Sequence, residues 1–378
     1  MTAVAKLILV LGIVAAGCFA PATARAGQFE DAEAAWERGD YATALRLFQP
    51  FATQGNAHAQ NVLGLMYLNG YGVGQDFGQA FELFKKSAEQ GAQDGQINLA
   101  LCYLVGRGTS KDEKLYIVWL RKAANAGSPE AKSRLAWARF DGIGMEKNEA
   151  GAFALIKALA DQGISDAQND LGWMYEEGRG VPQDYAAALT WFRKSAEQEN
   201  PRGQLSLARA YHSGVGTDAD DVRAVSWLAR AAEQGYDVAQ VDLGTAYAKG
   251  VGVPLDQVQA RYWLNKAVAQ GNPDAEAELG SRYLNGSGEE IDYKKASFWY
   301  RKAAAKENAL AQNDLGWMAE NGFGMPKDDT EAARWYRMAI ANGNETAKRN
   351  LDVLYQLGRA LHIDESEARR WYRSRNFR

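Results

Sequence analysis

From about Gly55 onward the chain returns to the same pattern every 36 residues, and no insertion or deletion breaks the register. Gly91, Gly127, Gly163, Gly235, Gly271 and Gly343 mark one position of the repeat. Gly70, Gly106, Gly142, Gly178, Gly214, Gly250, Gly286, Gly322 and Gly358 mark another. A fixed period of this length means a stack of small supersecondary units, none able to bury its apolar face alone.

Each unit reads as two helices joined by a glycine loop. Ala167, Leu171, Met174, Tyr175 and Gly178 fall on one helical stripe, and Gly178 to Gln183 then break the helix. Asp184 stands where an N-cap belongs, and Ala188, Trp191, Phe192 and Ala196 form the apolar face of the second helix. The cap recurs as Asp76, Asp112, Asp220, Asp256, Asp292, Asp328 and Asp364, with Asn148 as a like substitute.

Gly64, Ala100, Ala136, Gly172, Ala208, Gly244, Gly280 and Gly316 place a small residue wherever paired helices must approach closely. Tyr67, Tyr103, Tyr175, Tyr211, Tyr247, Tyr283 and Tyr355 share one register, and Trp119, Trp191, Trp227, Trp263, Trp299, Trp335 and Trp371 share another. Both sets are expected to be core.

The consensus Ala-Gln-x-x-Leu-Gly-x-x-Tyr, Gly-x-Gly-Val-x-x-Asp, Ala-x-x-Trp-x-x-x-Ala-Ala-x-x-Gly resembles the Sel-one-like repeat family, relatives of the tetratricopeptide repeats. The resemblance covers nearly all of residues 56–374. It implies an all-α, right-handed α-solenoid of paired antiparallel helices, and members that act mostly as adaptors and scaffolds in the bacterial envelope, in exopolysaccharide regulation or in host interaction. Departures are local: Glu199 and Glu307 replace the closing glycine, Arg139 and Ala319 the tyrosine, and Ala360 the second loop glycine.

The ends differ from the middle. Lys6, an apolar run from Leu7 to Ala16, and Ala24-Arg25-Ala26 compose a secretory signal over residues 1–26, so the mature chain is expected to begin at Gly27 in the periplasm or outside the cell. Residues 27–55 then form a capping helix pair in which Pro50 should kink or end the second helix early. Eight repeats occupy residues 56–343, and residues 344–378 carry a degenerate repeat and a basic tail. Cys18, after Ala15-Ala16-Gly17, gives an alternative in which the chain is an outer-membrane lipoprotein scaffold for polysaccharide export.

Catalytic material is scarce. No Ser-x-x-Lys, Gly-x-Ser-x-Gly or His-Glu-x-x-His occurs, and His58, His212 and His362 sit at three different registers. The Gly-x-Gly pairs follow helices rather than strands, so they serve turns and not phosphates. Cys102 shares the register of Met66, Met174 and Met318, a buried apolar position. No enzyme, cofactor or metal is expected, although cysteine-rich relatives keep a penicillin-binding or hydrolase activity as an alternative. Basic residues such as Lys85, Lys86, Arg121, Lys122, Arg193, Lys194, Arg301 and Lys302 close the second helices, where the helix dipole favours them without any nucleic acid.

What varies between units is the first-helix ridge roughly 140 to 200 degrees from the buried face. It runs Asn61, Leu65, Leu68; Ile97, Leu101, Leu104; Ser133, Trp137, Phe140; Asn169, Trp173, Glu176; and reaches Trp317 later in the chain. Exposed, this apolar ridge is a groove on the concave face for a protein partner, an envelope protein or sensor. Leu65, Leu68, Ile97, Leu101, Leu104, Trp137, Phe140, Trp173 and Trp317 are the candidate contacts. Tight coiling that buries the same register is the competing outcome. Ala167 to Met174 recurs letter for letter as Ala311 to Met318, so Trp173 and Trp317 are expected to present equivalent contacts.

The sequence thus describes an exported, monomeric, non-catalytic scaffold, attached to a membrane only if Cys18 is lipidated. Removal of Lys6 and Arg25 with the signal takes the formal net charge from -4 to -6. Intact mass spectrometry of the protein from its native host is expected to return a chain starting at Gly27; a diacylated Cys18 start would instead mark the lipoprotein.

Overall fold

The computed structural model describes residues 22–356, and every regular element among them is a helix. Backbone packing divides the chain into two compact units, Met1–Asp184 and Tyr185–Arg378. The first contains α1 (Ala22–Glu37), α2 (Tyr41–Thr53), α3 (Ala57–Asn69), α4 (Phe77–Glu89), α5 (Gln93–Val105), α6 (Glu113–Asn125), α7 (Pro129–Asp141), α8 (Glu149–Asp161) and α9 (Ser165–Glu177). The second contains α10 (Tyr185–Glu197), α11 (Pro201–Ser213), α12 (Asp221–Glu233), α13 (Asp237–Lys249), α14 (Gln257–Ala269), α15 (Pro273–Asn285), α16 (Tyr293–Ala304), α17 (Ala309–Asn321), α18 (Asp329–Ala341) and α19 (Glu345–Gln356). Within each unit consecutive helices pack on one another, which is the all-α solenoid expected from the period. No helix among the described residues is long and apolar enough to cross a membrane. Residues 1–21, with Cys18 and most of the expected signal, and the loop at Gly358, Trp371 and the basic tail lie outside the described residues.

The helix boundaries follow local chemistry. Asp76, Asp112, Asn148, Asp220, Asp256, Asp292 and Asp328 each accept the backbone N–H three residues on, at 2.6 to 3.0 Å. Such a cap contributes about 1 kcal/mol. The cap residue's own N–H closes the loop by donating to the carbonyl of the tyrosine register, as Asp112 does to Tyr103 at 2.8 Å. That bond is made by backbone, so Arg139 and Ala319 accept it equally well from Asn148 and Asp328.

The second loop glycine carries a demand that spacing alone did not reveal. Gly108 has φ +72°, and a Cβ there would lie 2.0 Å from the carbonyl oxygen of Phe77, the first residue of α4. Gly144 repeats the geometry against Glu113 at the start of α6, at 2.1 Å. These loops, and those at Gly180, Gly216, Gly252 and Gly324, therefore rest on the backbone of the preceding second helix, and any side chain would lift them off. Glu199 and Glu307 occupy the closing-glycine register with φ of 58° and 63°, left-handed backbone without glycine, which costs about 1 to 2 kcal/mol apiece.

Between paired helices, size is complementary. A Cβ on Gly64 would stand 2.6 Å from the Phe84 ring; Gly280 faces Tyr300 and Gly316 faces Tyr336 in the same way. Where the first helix carries alanine instead, as at Ala100 and Ala208, the register opposite holds Leu120 and Leu228, and both pairs are buried. Gly244 breaks the rule, facing Leu264 at 2.9 Å.

Consecutive repeats are also joined by buried amides. Gln60, Gln96, Gln168, Gln240 and Gln312 donate to the carbonyls of Ala52, Ala88, Ala160, Ala232 and Ala304, at 3.0 to 3.3 Å. Gln60, Gln240 and Gln312 in turn accept from Gln90, Gln270 and Asn342 at the end of the next second helix. Glu276 holds this register in the seventh repeat, 1% exposed, and accepts from Lys306 at 2.8 Å.

Two expectations are corrected. Pro50 does not end α2 early: the helix runs on to Thr53, because one lost hydrogen bond is outweighed where Phe48 and Phe51 pack edge-on against Phe29. The tryptophans are not core, since all but Trp263 of those described are only partly buried. Their outer faces are covered by a cation three residues on: Lys122 lies 3.5 Å from the Trp119 ring centre, Lys194 3.8 Å from Trp191 and Arg230 4.7 Å from Trp227. The basic residues closing the second helices thus act on aromatic faces as well as on the dipole.

Gly64→Ala is expected to lower stability by about 1 to 3 kcal/mol in denaturant melts. In a Phe84→Leu background, which recreates the Ala100 and Leu120 pairing, the same change should cost little. Equal losses in both backgrounds would count against the steric account.

Candidate functional site

The first-helix ridge divides once its burial is known. In Met1–Asp184, α3 packs directly on α5, so the innermost position of the ridge points between neighbouring first helices rather than outward. Asn61 is buried there and accepts a hydrogen bond from Asn98 at 2.8 Å. Ile97, one period on, is 4% exposed. It is core, and the expectation that this position is exposed is corrected. Phe140, 6% exposed, is corrected likewise: its ring is enclosed by Trp137, Trp173 and Arg179.

The remaining positions of that unit keep one side open. Leu65 and Leu68 are half-buried against the cluster holding Tyr67, Phe84 and Leu99; Leu101 and Leu104 are half-buried against Ile97 and Ala100. Trp137 and Trp173 are half-buried too, with ring centres 5.5 Å apart. The competing outcome, burial by nesting, therefore holds at Asn61, Ile97 and Asn169, whereas Leu65, Leu68, Leu101, Leu104, Trp137 and Trp173 keep an open side.

Polar groups hold the aromatic trio in place. Trp137 Nε1 donates to Asp170 Oδ2 at 2.9 Å. Arg179 lies 4.6 Å from the Phe140 ring centre and is oriented by two hydrogen bonds to the Glu149 carboxylate, at 2.9 and 3.0 Å. Hydrogen bonds from Arg179 and then Lys147 hold the Glu149 carboxyl down at about 2. A planar guanidinium is suited to this double duty of pairing a carboxylate while stacking on a ring. Asp170, Glu149 and Arg179 were not among the expected contacts. The one sequence signal, for Glu149, is that a carboxylate opens the second helix at Glu113, Glu149, Asp221 and Asp329, where other repeats carry Phe77, Tyr185 or Tyr293.

Trp317, in Tyr185–Arg378, is 38% exposed and packs on Phe323, ring centres 5.0 Å apart. It does not reproduce the surroundings of Trp173, despite the identical eight residues around each. The position one repeat earlier is Trp137 in one case and Ser281 in the other, so the same tryptophan meets different neighbours.

Reactive chemistry does not gather at this surface. Cys102 is buried, and loss of solvation pushes its thiol up to about 11, which keeps it protonated. His58 contacts Glu33 and His212 contacts Asp221; His362 lies outside the described residues. Burial raises the carboxyls of Glu278 and Asp314, which share the first-helix register of Asp170 and Asp242. No cluster of His, Cys, Asp and Glu among the described residues is arranged to hold a metal ion.

The Sel1 repeat matches ten stretches of the chain, residues 35–56, 57–91, 93–128, 129–164, 165–200, 201–236, 237–272, 273–308, 309–344 and 353–374. The chain is similar to a Sel1 repeat protein from Oxalobacter formigenes, with 30% identity over 82% of this chain and 89% of that one, at a TM-score of 0.53. It is also similar to c5321, a protective antigen of uropathogenic Escherichia coli strains with an SLR fold, at 31% identity over 90% of this chain and 81% of that one, with a TM-score of 0.48. No curated protein matches the sequence.

Because its folded-state value is depressed, Glu149 should contribute stability in full above the ordinary glutamate value of 4.5 and lose it as pH falls through about 2. A carboxyl carbon titration followed by NMR is expected to show Glu149 ionised at pH 3, and Arg179→Ala should return it toward the ordinary range.

Proposed function

The chain belongs to the Sel1 repeat family, and from that premise we propose that it is a non-catalytic scaffold of the bacterial cell envelope, exported by residues 1–26 and holding a protein partner on its first helices. Repeat scaffolds of this kind mediate protein–protein contact, and the 36-residue architecture supplies an extended surface rather than a reaction centre. The observation that carries the reading is the run of half-buried Leu65, Leu68, Leu101, Leu104, Trp137 and Trp173 in one unit, each anchored on a packed core and open on one side. Anchored apolar side chains of this kind give binding energy at little cost in side-chain entropy.

The edge of the surface is polar. Arg179 and Glu149 flank the aromatic trio, so a partner meets apolar contacts bordered by a fixed ion pair. That arrangement suits an amphipathic segment, with its apolar side on the leucines and tryptophans.

A photoreactive phenylalanine at Leu104, with the protein in its native envelope, is expected to give a discrete crosslinked adduct of higher mass. The same group at Val118, an exposed position on the second helix α6, should give none. Crosslinking from Val118 alone, or equally from both, would move the contact off the first helices.

A further inference from the structure

Two repeats beyond the Trp137 cluster, wholly within Tyr185–Arg378, the same registers open into a cavity of about 280 Å³. Arg209 stands at the register of Trp137, His212 at that of Phe140, Thr245 at that of Trp173 and Ala246 at that of Met174. The polar link survives the exchange: Arg209 donates to Asp242 at 2.9 and 3.2 Å, as Trp137 donates to Asp170. The bulk does not. Three rings and a methionine are replaced by smaller or outward-reaching side chains, and the space they would fill is left with a floor of Ala208, Val225, Leu228 and Ala246.

Two of the three basic side chains at the rim have a carboxylate partner. Arg209 pairs with Asp242, and His212 pairs with Asp221. Lys249 lines the same cavity and makes no ion pair or hydrogen bond among the described residues; its charge is felt by the Glu278 carboxyl without contact. An apolar floor beside an ammonium with no carboxylate in contact is complementary to a ligand that is apolar at its tip and anionic next to it.

We propose that this cavity receives one aliphatic side chain of a partner polypeptide, with a carboxylate of the same segment meeting Lys249. The inference rests on the reading that first helices are the contact face, and it assigns the chemistry one such contact selects. The family consensus does not carry it, because the cavity exists through the residues in which these two repeats depart from their neighbours.

The test uses the full chain with labelled valine and leucine methyls and two probes. N-acetylleucine has both groups, and N-acetylleucinamide has only the apolar one. N-acetylleucine is expected to shift the methyls of Val225, Leu228 and Val251 saturably, and to bind roughly threefold to fivefold more tightly than the amide, as one solvent-exposed ion pair allows. Lys249→Met should bring N-acetylleucine down to the amide's affinity. Ala246→Met, which restores the methionine of the Met174 register, should abolish both. Undisturbed methyls up to roughly 20 mM probe, a regime that detects millimolar binding, would overturn the proposal. So would equal affinity for the two probes. Crosslinking at Leu104 reads a different unit and needs no occupied cavity, so failure here leaves the scaffold reading intact, and failure there leaves this one.

Discussion

How closely one hairpin can sit on the last governs everything else in this chain. The loop at Gly108 touches the carbonyl of Phe77, and that at Gly144 touches the carbonyl of Glu113, at distances that exclude any side chain. Inside each hairpin Gly64 lies under Phe84 and Gly316 under Tyr336. These contacts set the spacing between helices, and the spacing decides which side chains become core and which remain at the edge. Packed interiors tolerate very little change in volume, so a glycine here is a dimension of the structure rather than a gap in it.

Polar contacts then fix each repeat against the next. A buried glutamine cannot go unpaired without loss, and the chain satisfies Gln60, Gln240 and Gln312 twice, through the end of the previous helix and the end of the following one. The seventh repeat keeps the geometry with different chemistry, Glu276 against Lys306 in place of two amides. Arg282 goes further, placing a guanidinium 1% exposed in the register of Met66 and Met174 and reaching Gln257 with one nitrogen at 2.8 Å. Burial holds its ionisation below the usual arginine range. A frame supported by backbone contacts accepts such exchanges one repeat at a time, because each unit answers only to its neighbours.

The candidate surface shows what this freedom produces. Within one unit the registers of Trp137, Phe140 and Trp173 fill with rings packed edge-on and tilted under a tethered arginine; within the other the same registers hold Arg209, His212 and Thr245 around open space. Helical periodicity gives the right faces but not their depth. It places Ile97 and Phe140 outside, since a single helix viewed alone has no neighbour, and the burial of both comes from the next first helix and from Arg179. The tryptophans of the second helices were misjudged in the opposite sense. A large aromatic at a fixed register reads as core, yet a lysine or arginine three residues on covers its outer face and lets it stay half in solvent.

The repeat length, the helix pairs, their caps and their loops were determined by the sequence alone, because each depends on contacts a few residues apart: an aspartate three residues from the N–H it caps, a glycine at the turn it permits. Only the tertiary structure decided the loop-to-helix contact at Gly108, the shared glutamines, the enclosure of Phe140 and the cavity beside Lys249. All of these depend on residues about one repeat apart, brought together by the spacing that the stacked backbones allow. Short-range chemistry is written in the order of residues, whereas exposure, and with it the character of the contact surface, is a property of neighbours that the order does not name.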